Sequence, residues 1–180
     1  MEIRIYDADM DFQGVIENQT SMIWSRKYFE PGNVELYLPI TQENIRLTKM
    51  GNLIWMRGCR EAAVIEDRKL EESSTKNEIT VKGRFLSSYM DRRLKKATVN
   101  FSGKVEEAMR QLLSSAEPIP HVELGDLQGF EDTVDFQATY KNLLDYEEKL
   151  ARCSGLGFRF RPDFNAKIIH FEVYRGTDRT

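Results

Sequence analysis

Histidine and cysteine are scarce in these 180 residues, two of each, and that scarcity closes off much of the usual chemistry. His121 and His170 cannot supply a three-histidine metal site, and a Cys–His nucleophile would depend on a meeting in the fold that nothing local supports. Cys59 and Cys153 stand far apart, form no CxxC pair and are too few for the disulfide framework of a small secreted domain, so both read as reduced, small core residues. Long apolar runs are missing too. The opening MEIRIYDADM carries Glu2 and Arg4 where a signal peptide or anchor needs an apolar stretch, so membrane insertion is not expected. Nor is there a basic excess: 26 Lys and Arg stand against 29 Asp and Glu, a formal charge of -3, which argues against specific nucleic-acid binding. Walker, HExxH, GxSxG and kinase signatures are absent from the sequence.

Three local patterns imitate functional motifs and fail on inspection. DADMD at residues 7–11 opens like a calcium loop, but the turn glycine would fall on Phe12 and the closing glutamate on Asn18, so a solvated hairpin turn is expected. Gly155-Leu156-Gly157 follows a helical pattern instead of opening one, which makes it a helix stop and not a dinucleotide loop. The abundant carboxylates would allow a glycosidase-like pair, yet none sits in the local context that would single it out. The sequence therefore assigns no catalytic, cofactor-binding or metal-binding residue, and no cofactor. Its densest basic run, Arg92, Arg93, Lys95 and Lys96 around Leu94, is the candidate protein interface, with Tyr89 as aromatic neighbour.

What the chain does have is apolar patterning, with 10 Phe, 7 Tyr and 2 Trp and enough length to bury a substantial core. Up to about residue 86 the pattern has period two. Ile3/Ile5 with Val15-Ile16 reads as a hairpin. Met22, Trp24 and Tyr28 read as one strand, Val34, Leu36 and Leu38 as the next, and three more follow, about seven in all. A short helical turn capped by Thr41 and stopped by Gly51 interrupts them. The period then changes. From Ser102, taken as a cap, Val105, Ala108, Met109, Leu112 and Leu113 make one helical face; a second helix after Thr139 places Tyr140, Leu143, Leu144, Leu150 and Ala151 inward and stops at Gly155. ATVNF and DTVDF read as short strands before each helix, and the final stretch as a hairpin. The expected class is α+β: an antiparallel β-barrel-like unit over residues 1–97, then a smaller α+β unit over 98–180 with two amphipathic helices and a terminal hairpin.

The segments EPGNVELYLPIT, GNLIWMRG, ITVKGRFLSSYMDRR, VNFSGKVEEAMRQL, DFQATYKNLLDYEEKLARCSGLGFRF and FEVYRGTDRT, in that order, resemble the N-terminal part of siphophage and prophage tail proteins of the tail-tip, or baseplate hub, family, also called tail-associated proteins. The resemblance rests on structural residues such as Pro31, Gly32, Gly83, Arg92, Arg93 and Gly155, and family members are usually longer. It implies barrel-like domains related to the tail-tube protein, a hub that is trimeric in full-length members and partnered by other tail proteins, synthesis in the host cytoplasm, a place in the virion tail, and no enzymatic activity in this part. The alternatives from the residues themselves are a carboxylate-based hydrolase of cell-wall polymer and a carbohydrate-binding β domain. The fate of Trp24, Tyr28, Tyr37 and Trp55 separates them: burial favours assembly, and an exposed row beside paired carboxylates favours sugar chemistry.

Overall fold

In the computed structural model, which describes residues 2–74 and 77–176, the chain is α+β and mostly strand. It forms two compact units built from interleaved segments. Unit 1 takes the residues up to Lys27, Pro31–Leu86 and Arg161–Lys167; unit 2 takes Tyr28–Glu30, Ser87–Phe160 and the chain from Ile168 on. The sequence pattern placed a single change of character near residue 97. Period-two reading locates a strand but says nothing about which sheet it joins, so these crossings leave no trace in it.

Unit 1 is one seven-stranded antiparallel sheet. Its strands are β1 (Ile3–Tyr6), β2 (Phe12–Ile16), β3 (Ser21–Ser25), β4 (Asn33–Pro39), β5 (Leu53–Met56), β6 (Ala62–Glu72) and β7 (Asn77–Phe85), in the order β2-β1-β5-β6-β7-β4-β3. The edges, β2 and β3, are consecutive in sequence, joined by residues 17–20. Laid flat, seven strands would hold their edges about 29 Å apart, since neighbours lie about 4.8 Å from one another. The link from Ile16 to Ser21 can span at most about 18 Å. The sheet must therefore curl towards closure, and among the described residues β2 and β3 do not pair, so the barrel stays open.

Helix α1 (Gln42–Leu47), capped by Thr41 through a 3.0 Å bond from the Asn44 amide, covers the β2 edge. Arg46 donates to the Gln13 carbonyl, Asn44 to the Asn18 side chain, and Leu47 lies over Gly14. Edge carbonyls are thereby covered instead of offered to another chain. Alternate residues Ile3 and Ile5, Val34, Leu36 and Leu38, and Ile79 and Val81 fill the interior with Leu47 and Phe85, while Trp24 packs against them from β3. Tyr28 lies beyond the end of β3, not on it as its even spacing suggested.

Gly83 sets how closely β6 approaches β7. It faces Ile65 where the ladder slips past a bulge at Glu66, and a Cβ there would stand 2.1 Å from the Val64 carbonyl oxygen. Gly83→Ala is expected to lower unfolding stability by about 1–3 kcal/mol, because backbone must move to admit the methyl. A urea midpoint equal to wild type would show that the sheet spreads freely here.

After β7 the chain runs through a 3-10 turn, Leu86–Arg92, then β8 (Leu94–Lys95), β9 (Val99–Lys104), α2 (Val105–Ser114), β10 (Val122–Leu124), β11 (Thr133–Ala138), β12 (Lys141–Asn142), α3 (Leu143–Ser154), β13 (Gly157–Asp163) and β14 (Ile168–Tyr174), which make up unit 2 apart from Leu86 and the end of β13 from Arg161. The two strands expected before the helices pair with each other, β9 against β11; β12 pairs with β8; and β10 runs parallel to β14 in a three-stranded sheet with β13. Both helices start later than their sequence signals. Ser102 lies inside β9, where the ladder to β11 holds its backbone, and Lys104 stands at the N-cap position of α2. Asn142 caps α3 by accepting the Leu144 amide. Gly155 ends α3 in the left-handed conformation at φ 70°, as its sequence position implied.

Candidate functional site

The basic run that the sequence singled out lies at the C-terminal end of α2, and the helix end takes up most of it. Lys95 is 2% exposed, its ammonium 3.3 Å from the Ser115 carbonyl, where a cation meets both an unsatisfied carbonyl and the negative end of the helix dipole. Arg93 reaches the carbonyls of Glu117 and Pro118, and Lys96 pairs with the Glu117 carboxylate. Arg92 lies over the Tyr89 ring at 5.6 Å. Lys95 thus cannot face a partner, and the part of the run that reaches the surface is Arg92, Leu94 and Lys96. Leu94 points outward where the hydrophobic pattern would have turned it in.

Two further expectations are corrected. Tyr140, placed on the inner face of the second helix, precedes α3 at φ 43° and is 83% exposed. Cys153 lies on the exposed side of α3, outside the stripe of Leu143, Leu150 and Ala151, while Cys59 is half-buried, which pushes its thiol upward.

The aromatic test runs towards packing. Trp24, Tyr28, Tyr37 and Trp55 are all half-buried. The Trp55 indole donates to the Cys59 carbonyl at 2.8 Å, the Tyr37 hydroxyl to Glu35 at 2.9 Å and the Tyr28 hydroxyl to the Gly155 carbonyl at 3.0 Å. The polar tips of these three serve the fold, while Trp24 packs its ring against Phe85 and leaves its buried indole N–H without a hydrogen-bond partner among the described residues. The four form no exposed row.

Unit 1 carries a groove of about 430 Å³, lined by Arg4, Tyr6, Phe12, Val15, Phe164 and Lys167 among others. Tyr6 stacks on Phe164, and Phe12 meets Tyr6 edge-on. The carboxylates beside it are committed. Arg4 and Arg57 hold Glu2 below the usual carboxylate range, and Asp11 is bound by Lys167 at 2.7 Å. A general acid for glycoside cleavage needs the opposite shift. The Asp7 carboxylate in the same hairpin accepts the amides of Asp9 and Asp11 and the Gln13 side chain, the solvated turn that the sequence implied.

Unit 2 holds two buried carboxyls that the sequence did not single out. Glu106, 1% exposed on α2, accepts the amides of Gln128, Gly129 and Phe130 and so pins the loop before β11. Glu147 is completely buried on α3, neither oxygen has a hydrogen-bond partner, and burial pushes its carboxyl well above the usual range. Being sealed from solvent, it can reach no substrate. His170 alternates with the inward Ile169 and Phe171 on β14, and His121 sits in a left-handed turn. Among the described residues no group of three or more His, Cys, Asp or Glu side chains is arranged to hold a metal ion, and no helix is long and apolar enough to cross a membrane.

The family model for siphovirus ReqiPepy6 Gp37-like proteins matches residues 2–180. The chain belongs to that family. Solved structures share the fold of this chain at low sequence identity. Prophage tail protein gp18 from Listeria monocytogenes EGD-e superposes with a TM-score of 0.66 at 13% identity, over 95% of this chain and 50% of its own. The tail protein from Neisseria meningitidis MC58 gives 0.57 at 12% identity, over 94% and 50%. The E. coli c3393 protein, a type VI secretion component described as structurally similar to the T4 tail proteins gp27 and gp5, gives 0.55 at 15% identity, over 90% and 48%. The chain spans about half the length of these structures. No curated protein sequence matches it.

Proposed function

We propose that this chain is a structural component of a phage or prophage tail tip, part of the hub ring at the distal end of the tail tube. It acts by association with copies of itself, three to a ring, and with neighbouring tail proteins, and not by catalysis. The observation that carries this reading is the likeness of nearly the whole chain to a prophage tail protein, within a siphovirus family that matches from residue 2 to residue 180. The likeness to c3393, itself compared with gp27 and gp5, supports a tail role shared with a related secretion machine. The site chemistry agrees: the groove carboxylates Glu2 and Asp11 are salt-bridged, and Glu147, whose carboxyl is held strongly towards its neutral form, is sealed inside. The protein is made in the bacterial host cytoplasm and takes its place in the virion tail.

Purified chain incubated with cell walls of a Gram-positive host is expected to release no soluble sugar or peptide. Sustained release would replace the structural reading with a cell-wall hydrolase, and tight wall binding without release would replace it with a carbohydrate-binding module.

A further inference from the structure

Ring assembly requires two different surfaces on each copy that fit one another, and unit 2 carries such a pair. The first is a loop built to hold a leucine in water. Arg110 on α2 donates to the Gly125 carbonyl at 2.7 Å, and the buried Glu106 carboxylate takes the amides of Gln128 at 2.7 Å and Gly129 at 2.8 Å, with Phe130 at 3.3 Å. Charge-assisted bonds of this kind are strong, so the loop is anchored at both ends. Between the anchors stand Asp126, exposed, and Leu127, 54% exposed. The surrounding stretch, residues 122–137, contains five acidic residues and no lysine or arginine; Glu131 and Asp132 are paired with Lys104 and Arg175, which leaves Asp126 as the exposed charge beside Leu127.

The second surface is the β8–β12 ribbon, which is built inside out. Leu94 is 57% exposed while its neighbour Lys95 is buried on the end of α2, and Arg92 and Lys96, two residues to either side of Leu94, are exposed. Leu94 pairs with Asn142 and Lys95 with Lys141 across the ribbon, and Tyr140 is the residue immediately before β12. Tyr140 holds a left-handed backbone that aromatic residues disfavour and shows most of its ring to solvent. An outward leucine and an outward tyrosine form a surface that water does not favour, with Arg92 and the Glu117-paired Lys96 near the leucine in sequence.

We propose that copies of this chain dock head to tail through unit 2, the Asp126–Leu127 loop of one copy seating on the ribbon of the next at Arg92, Leu94, Lys96 and Tyr140. The inference rests on the ring reading above and supplies the faces that reading leaves open. Both patches have an apolar centre, and Asp126 on one is opposite in sign to Arg92 on the other, which fixes the register and disfavours like-to-like contact. They occupy different places on one unit. The ribbon lies at Ser115, and Glu106, which holds the loop, lies nine residues back along the chain, about 14 Å of helix. Different faces meeting is the condition for a heterologous contact, and such contacts form a ring when the rotation between neighbours closes.

Sedimentation velocity over a concentration series tests the pairing on the 180-residue chain. Arg92→Glu and Asp126→Arg are each expected to weaken association by at least about tenfold, and the double variant to return towards wild type because the pair is restored with its signs exchanged. Tyr140→Gly is expected to weaken association while leaving the unfolding midpoint unchanged or higher, since glycine accepts the positive φ. A chain that associates but ignores all of these changes overturns this interface and leaves the ring reading standing. Single reversals that weaken association with no recovery in the double variant overturn the pairing of the two patches. A wild-type chain that stays monomeric to about 1 mM overturns this interface, since both of its faces lie within the 180 residues, and leaves the ring reading to the assembled tail.

Discussion

Replacing Glu147 with methionine is expected to stabilise the protein at pH 7 by about 1–3 kcal/mol, the cost of leaving a buried polar group unsatisfied. Glu147 lies four residues after Leu143 and four before Ala151, in the middle of the stripe that α3 buries, and neither carboxylate oxygen is bonded. The charged groups on the neighbouring elements face other partners: Glu106 the loop at Gln128, Arg110 the Gly125 carbonyl, Lys104 Glu131, Lys141 Asp145. Desolvation is left to act alone, and it raises the carboxyl well above its ordinary value of 4.5. A raised carboxyl binds its proton more tightly in the folded state than in the unfolded one. The penalty is therefore full above the raised value, shrinks as pH falls through it and is gone near 4.5. The gain from Glu147→Met should follow that course, largest at pH 8 and narrowing towards pH 5. Urea midpoints at several pH values read this directly, and a gain independent of pH would show that the carboxyl does not titrate differently on folding.

The opposite effect is expected at Leu112, fully buried at the centre of the α2 face formed by Val105, Ala108, Met109 and Leu113. Leu112→Ala should cost about 2–5 kcal/mol, the loss of the buried side chain plus the cavity it leaves. Leu112 belongs to unit 2 and Gly83 to unit 1. If the units unfold in separate transitions, each substitution moves only its own, and a calorimetric scan distinguishes this from one cooperative melt. An unchanged midpoint for Leu112→Ala would mean that α2 packs through another face.

Much of this was legible in the sequence because alternation and helical spacing are local properties. The seven strands before Phe85, the apolar face of α2 and the glycine stop of α3 all follow from residue spacing. What the sequence withheld is set by pairing. Nothing local says that β2 and β3, four residues apart along the chain, take opposite edges of one sheet, or that ATVNF finds DTVDF. Ser102 carries a good cap side chain, yet the ladder to β11 takes the backbone first and moves the helix start. The charged surface misled in the same way. Lys95 looked like part of a solvated patch, but the end of α2 gives its charge a partner, and Leu94 is turned out in consequence. Glu147 was readable in principle, since its helical phase matches Leu143 and Ala151; the rule that carboxylates stay exposed hid it. Family membership, by contrast, was carried by scattered structural residues such as Gly83, whose close approach to Val64 shows why that position tolerates so little.

The central claim, a structural place at the tip of a tail, is tested most directly by imaging particles assembled with a tagged copy of the protein. The account predicts label at the distal end of the tail tube in every complete particle, and particles without finished tails when the protein is withheld. Complete, infectious tails formed in its absence, or label found away from the tail, would contradict it.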